Sequence, residues 1–534
     1  MPRITRELLN SSKWQALLFL LIVGVASLRI VRTYHFYNQS IDEPAHVNCG
    51  LEWLGQGTFN TEPKHPPLPR VLMAIGPYLQ GLRFDPTQQR LYDANDIFQK
   101  SGDYWVTLTS ARVATLFWFL LACTSLFLFA RRWCGGREAL LAVLLFTLLP
   151  SVLTHAGMAT NDMAATAALI FALYIFSRYW DEPGYRNAVL CGFALALALG
   201  SKLSLLMFLP LTLAPFVFFL GRPSKWTKQQ CLRSLAHGAV FVAVSVFLLQ
   251  AIYRFELTPV PLLGNLPLPL MGIKIGAQQL WAHNKEGHDA VLFGAYSRYG
   301  FKLFFPVMLL LKTPLGILAL VAAGYLALLF RWSSWPPPVK IAFLAAPAIV
   351  ASCMTSSINI GLRHILPVYP ILALAGALAL TTAPRRIPAA ALRAVLGLAL
   401  FVGVVESATA VADPLPWFNL LAPEPLDRVT VDSDLDWGQN LYRLSKYLKE
   451  EKIEKLALHY FGSVAYESFD FPKGITGVDP KNPMPGYVVV SSYIRRLECL
   501  RSGNFCWLNQ FQPEHSIGDS IHIYYIPGAL LPPR

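Results

Sequence analysis

Trp14 to Val31 reads WQALLFLLIVGVASLRIV, with Arg29 as its one charge, and ten residues on comes Ile41-Asp42-Glu43-Pro44-Ala45-His46. The first stretch is long and apolar enough to span a bilayer. The second places two adjacent acids just beyond it, and Lys64-His65-Pro66-Pro67-Leu68-Pro69-Arg70 follows. A simple tether has no need of such residues. Apolar runs of membrane length recur at roughly 109–130, 138–154, 163–180, 187–200, 203–220, 235–253, 304–330, 339–356, 365–382 and 389–411. About eleven transmembrane helices are therefore expected, and the fold class is a polytopic α-helical membrane protein.

Composition agrees. Hydrophobic residues make up 54% of the 534 and charged residues only 14%, against roughly 25% in soluble domains. A net charge of +13 would suggest nucleic acid in a soluble chain. Here the basic residues lie in short loops, where they set orientation, and no nucleic-acid partner is expected. One set of connections holds Arg131, Arg132, Arg137, Arg178, Arg186, Arg222, Lys225, Lys228, Arg233, Arg331, Arg385 and Arg386. The amino terminus, with Arg3, Arg6 and Lys13, falls on the same side, and the positive-inside rule makes that side the cytoplasm. The first span, with no small-residue cleavage pattern after it, reads as a retained helix. Residues 1–411 form the transmembrane domain, with long outer loops at 32–108 and 254–303. Within these, Leu68 to Leu82 and Leu270 to Trp281 are too short to cross and suit interfacial helices.

Residues 412–534 are expected as a small extracytoplasmic α/β domain. Strands are predicted at Arg428 to Val431, Lys455 to Tyr460, Tyr487 to Ser491 and Ile521 to Ile526, with a helix from Gln439 to Glu451. Of eight cysteines no pair has C-x-x-C spacing. Cys499 and Cys506 are the one close pair in the tail, and a disulfide between them requires an oxidising compartment. Asp432-Ser433-Asp434-Leu435-Asp436 resembles the start of a calcium loop but lacks an acid at the twelfth position, so an acidic helix start is expected.

The ionisable residues near span ends are Asp42, Glu43, His65, His155, Asp162, Lys202, Lys312 and His364. All fall on or near the outer side, which implies one polar cavity there, because charges at membrane depth face a cavity or a partner. In Asp42-Glu43 one carboxylate suits a general base and its neighbour an orienting group, while Asp42 also suits a helix cap with Pro44 in the first turn. Lys202 and Lys312, with Arg363 and His364, suit a phosphate, although snorkelling also accounts for the lysines. Asp162 suits a helix cap as well as a pocket acid, and His65 and His155 suit the pocket wall. A metal held by Asp42 or Glu43 with His65 lacks a recognised ligand spacing.

Taken together these motifs resemble bacterial members of the dolichyl-phosphate-mannose–protein mannosyltransferase superfamily, the GT-C type of glycosyltransferase, a group that includes the lipid A aminoarabinose transferase. The resemblance covers the membrane region through Asp42-Glu43, His65-Pro66-Pro67-Leu68, His155 through Asp162, Ser201-Lys202, Lys312-Thr313-Pro314 and Gly361-Leu362-Arg363-His364. Asp434-Leu435-Asp436-Trp437-Gly438-Gln439 and Tyr460-Phe461-Gly462 look like the members with an outer carboxy-terminal domain. It implies inverting transfer of a sugar from a polyprenyl-phosphate donor to a hydroxyl of a protein, lipid or envelope glycan, with no cofactor required. Asp42 takes the place of the acceptor-activating base and Glu43 that of the second acid. Neither long loop has room for the extra lumenal domain of the eukaryotic enzymes, which counts against a protein acceptor. The implied location is a bacterial inner membrane. A lipid or sugar transporter and a non-catalytic envelope-assembly factor are the alternatives; the chain shows no inverted repeat of the transporter kind.

Overall fold

The structure is a computed structural model that describes residues 11–87, 97–219, 227–260, 266–269, 271–382 and 389–528. Arg3, Arg6, Arg222, Lys225, Leu270, Arg385 and Arg386 lie outside the described residues. Six helices are long and apolar enough to cross a membrane: Ser12–His35, Tyr104–Trp133, Asp162–Asp181, Lys228–Ile252, Leu362–Thr381 and Ala390–Thr409. Two bent pairs raise the number to eight, and Tyr185–Leu199, Leu205–Phe216 and Pro337–Cys353 are shorter apolar helices. By length and composition the described residues thus give six to eight crossings, where the sequence suggested about eleven.

The bent pairs correct two expected continuous spans. Gly136–Thr147 and Pro150–Ala156 meet at 73°, and Phe304–Leu311 and Leu315–Phe330 at 116°. Pro150 and Pro314 explain the breaks, because proline lacks the amide hydrogen and its ring crowds the carbonyl one turn earlier. Lys312 therefore sits in a break between helices and not two turns into a span. Elsewhere small residues let helices approach. A Cβ on Gly403 would meet Ile317 Cγ1 at 2.9 Å, so the helices Leu315–Phe330 and Ala389–Thr409 cross at close range.

The first long loop is largely helical. Glu43–Gly55 and Pro67–Leu79 pack on each other and on Tyr104–Trp133 through Val47, Leu51, Met73, Ala74, Leu108 and Ala111. Gly50 is required there, since a Cβ would lie 2.6 Å from that of Ala74. The second long loop holds two antiparallel hairpins, β1 (Leu257–Val260) with β2 (Leu266–Pro269) and β3 (Ala290–Leu292) with β4 (Ala295–Ser297), around the helix Met271–Glu286.

The tail contains a five-stranded mixed sheet in the order β6-β5-β7-β9-β8. Its strands are β5 (Lys455–His459), β6 (Gly474–Thr476), β7 (Gly486–Ser491), β8 (His515–Ile517) and β9 (Ile521–Ile526). Alternation along β7 and β9 sends Val489, Ile521 and Ile523 against Leu441, Leu444 and Leu448 of the helix Leu441–Glu450, and Val488, Val490 and Tyr524 toward Phe505, Trp507 and Leu508. The strand expected at Arg428 to Val431 is instead a helical turn, Leu426–Val429, begun by Pro425, whose fixed φ suits a helix entry. Residues 412–440 run against the helical body: the Asn419 side chain donates to the Leu310 and Thr313 carbonyls at 2.7 and 2.8 Å. A Cys499–Cys506 disulfide joins the short helices Cys499–Ser502 and Cys506–Gln510 between β7 and β8, and Arg501 of the first meets Asp289 of the second long loop at 3.0 Å.

Candidate active site

The turn before Asp42 is held from both sides. Its backbone pairs with the tail, Asn38 N donating to Gln439 O at 3.1 Å and Ile41 N to Trp437 O at 3.0 Å. Beneath it Arg112 forms a bidentate pair with Glu43 at 2.7 and 2.8 Å and also donates to the Tyr34, Tyr37 and Asn38 carbonyls. Glu43 accepts two further amides, from Ser40 at 2.7 Å and Ala159 at 2.8 Å. Both side chains are fully buried. With its acceptor sites filled Glu43 does not line the cleft, and its contacts hold the turn that carries Asp42.

Asp42 begins the helix Glu43–Gly55 without making a side-chain cap. Its Oδ2 instead meets Arg363 Nη1 at 2.5 Å. The same Nη1 lies 3.9 Å from Asp162 Oδ2, and Asp162 Oδ1 accepts from Lys202 Nζ at 2.5 Å. Asp42, Arg363, Asp162 and Lys202 thus form one chain of alternating charge, drawn from four separate segments. Burial pushes the Asp42 carboxyl above its ordinary range, against the pull of Arg363. Such a carboxylate is more basic than an exposed one, as a general base needs to be.

The network lines a polar cleft of about 930 Å³, with Glu62, Lys64, His65, His283, His288, His364, Asp432, Trp437 and Phe461 on its other walls. His46 and His65 meet edge to face at 5.3 Å, and His46 Nδ1 accepts from Arg70 Nε at 3.1 Å. Burial, then Arg70, holds both imidazoles well below their usual range, so both are neutral. Arg70 in turn pairs with Glu62. Of the metal set considered from sequence, Glu43 is held by Arg112 and Asp42 pairs with Arg363. Among the described residues no three His, Cys, Asp or Glu side chains converge as metal ligands.

Two expected site residues lie elsewhere. Lys312 Nζ donates to the Leu415 and Asp434 carbonyls at 2.6 and 2.7 Å and lies over the Phe418 ring, tying the tail to the helix break. That corrects its expected contact with phosphate. His155 packs edge-on against Trp437 at 5.7 Å, behind the cleft wall. The acidic run 432–436 begins with a buried 3₁₀ turn, Asp432–Asp434, ahead of the helix Leu441–Glu450, and Asp434 accepts Leu362 N at 2.9 Å and so orients the segment carrying Arg363 and His364. Gly361 has φ +145°, and a Cβ there would strike Ser433.

Arg112, Glu62, Lys64, Arg70, Asp432 and Trp437 escaped the sequence reading. Lys64 and Arg70 flank the His65 motif, and Asp432 and Trp437 belong to the acidic tail motif, so the signal was position within quoted motifs. Arg112 had none.

The cleft continues into an apolar groove of about 1230 Å³ between helices, walled by Leu203, Leu206, Met207, Phe208, Leu280 and Trp281. Lys64, His65, Lys202 and His364 border both spaces. Cations therefore stand at the junction of a polar chamber and an oily one.

Residues 105–253 match the family model described as dolichyl-phosphate-mannose-protein mannosyltransferase. Among solved structures, the apo Archaeoglobus fulgidus oligosaccharyltransferase is similar at TM-score 0.52 and 13% identity, over 93% of this chain and 72% of that one. Apo ArnT from Cupriavidus metallidurans is similar at 0.51 and 15% identity, over 96% of this chain and 99% of that one. The archaeal oligosaccharyltransferase AglB from Archaeoglobus fulgidus, in complex with an inhibitory peptide and a dolichol-phosphate, gives 0.50 and 13%, over 96% of this chain and 75% of that one. No curated protein sequence matches the chain significantly. The fold is that of the GT-C glycosyltransferases, as the sequence motifs led one to expect.

Proposed function

We propose that this GT-C protein transfers a sugar from a polyprenyl-phosphate donor to a hydroxyl acceptor, with inversion, at the outer face of the membrane. The observation that carries the reading is the half-buried carboxylate of Asp42, paired with Arg363, in a cleft whose cationic rim opens into an apolar groove. A prenyl chain suits the groove and a phosphate suits the rim. AglB, of similar fold, has been seen with a dolichol-phosphate.

In this reading Asp42 accepts the proton of the acceptor hydroxyl as its oxygen attacks the anomeric carbon. The bond from that carbon to the phosphate oxygen breaks, and the electron pair leaves with the lipid phosphate. Lys202 and Lys64, with His364 nearby, offset the charge that develops there. Arg363 keeps Asp42 ionised and aimed. The departing phosphate needs no proton, so a single base suffices for inversion, in contrast to the paired acids of glycosidases.

The basic connections assigned to the cytoplasm and the tail disulfide both favour an extracytoplasmic cleft. The test is incubation of the purified protein with radiolabelled polyprenyl-phosphate sugars and an envelope extract. Label should pass to an acceptor with wild type and not with Asp42→Asn, while lipid binding persists in both. A transporter or scaffold would treat the two proteins alike.

A further inference from the structure

The cleft holds more hydrogen-bonding groups than its ion pairs use. Asn161 is 2% exposed and lines the cleft, yet neither its amide oxygen nor its amide nitrogen has a partner in the protein. Trp437 is fully buried, lines the same cleft, and leaves its indole N–H unpartnered. Buried polar groups are otherwise nearly always paired, so two such residues facing one space call for a ligand.

Asp432 adds a third group, from the opposite end of the chain. Asp42 and Asp162 are engaged by Arg363 and Lys202, whereas the Asp432 carboxylate accepts from Ser433 N at 2.6 Å and, among the described residues, its one ion-pair partner is His288, at 3.7 Å. Its backbone is left-handed at φ 65°, a conformation that non-glycine residues adopt at a cost and often at functional sites. Beside it Phe461, half-buried and stacked on Tyr493 at 3.8 Å, forms a rigid aromatic wall.

We propose that Asn161, Asp432 and Trp437, with Phe461 as a stacking face, bind a hydroxylated sugar ring in the cleft. The amide offers a donor and an acceptor, the carboxylate accepts from hydroxyls, and the indole donates to a ring or hydroxyl oxygen. The aromatic face takes the C–H side of the ring. This rests on the transferase reading and assigns the residues that recognise sugar, two of the three polar ones being supplied by the tail. The ring is that of the donor or that of a glycan acceptor.

The experiment titrates the full-length protein in lipid nanodiscs with undecaprenyl phosphate and with its mannosyl, glucosyl and arabinosyl esters. A donor ring gives at least one ester a gain of about tenfold over the bare lipid phosphate, the worth of one or two hydrogen bonds. Asn161→Ala and Asp432→Asn each erase that gain and bind the bare lipid like wild type. For an acceptor ring, maltotriose or mannotriose binds the wild type saturated with undecaprenyl phosphate, and the same variants lose that binding. The proposal is overturned if no sugar-bearing probe binds better than its control, or if both variants match wild type on every probe. It is also overturned if the variants lose bare lipid and sugar in equal measure. Failure of wild type to bind undecaprenyl phosphate at all would remove the transferase reading, and this inference with it.

Discussion

Asp42 and Glu43 are neighbours in sequence with opposite duties, and the difference comes from their partners. Asp42 has one cation and a face on the cleft, while Glu43 has a bidentate guanidinium and two amides and no face on it. Asp42→Asn should therefore lower kcat by about 10²–10⁴, the usual worth of a general base, with the thermal unfolding midpoint little changed. Glu43→Gln should act the other way round, since it leaves Arg112 charged and buried. A loss of about 3–5 kcal/mol is expected, visible as a lower unfolding midpoint in detergent before any activity is measured. Lys312→Met separates anchoring from phosphate binding. Its ammonium faces two carbonyls of the tail, so stability should fall while the KM for a polyprenyl-phosphate sugar stays within about twofold.

At the scale of elements, the turn Asp432 to Gln439 joins the two halves of the site. It pairs with the backbone before Asp42, and through Asp434 it orients the segment that carries Arg363. Its own acid, Asp436, accepts from Tyr493 N at 2.9 Å, yet burial pushes the carboxyl up to about 7. In the unfolded chain the same group ionises near pH 3.9. The folded state thus holds a proton that the unfolded state releases in between. The stability this provides is whole below about pH 4 and is lost as pH rises through about 7. Unfolding followed across that window should show Asp436→Asn with a flatter profile than wild type, by up to about 1.4 kcal/mol per pH unit. An identical slope in the two proteins would remove the group from the account.

For the whole molecule, the tail is part of the site and not an appendage to it. Trp437, Asp432 and Phe461 line the cleft, and residues 412–440 are hydrogen-bonded to the helical body. A chain ending at residue 411 should fail to give a monodisperse protein on size-exclusion chromatography, because Lys312, Leu362 and the Asn38–Ile41 turn would lose their partners. The membrane helices, the grouping of Asp42, His65, Asp162, Lys202 and His364 in one cleft, and three of the tail strands were legible from apolar run length, alternation and residue type. Those signals are local, and each segment carries its own. Arg112 under Glu43, Arg363 against Asp42 across 321 residues of chain, and the capture of Lys312 by tail carbonyls were not legible. An ion pair depends on which segments the fold brings within a few ångströms, and neither partner's neighbours in sequence record that. The sequence by itself determined that this is a helical membrane protein with a charged pocket at one side of its spans; only the tertiary structure decided which charges face the cleft and which hold it in shape, because burial and pairing are properties of the packed chain.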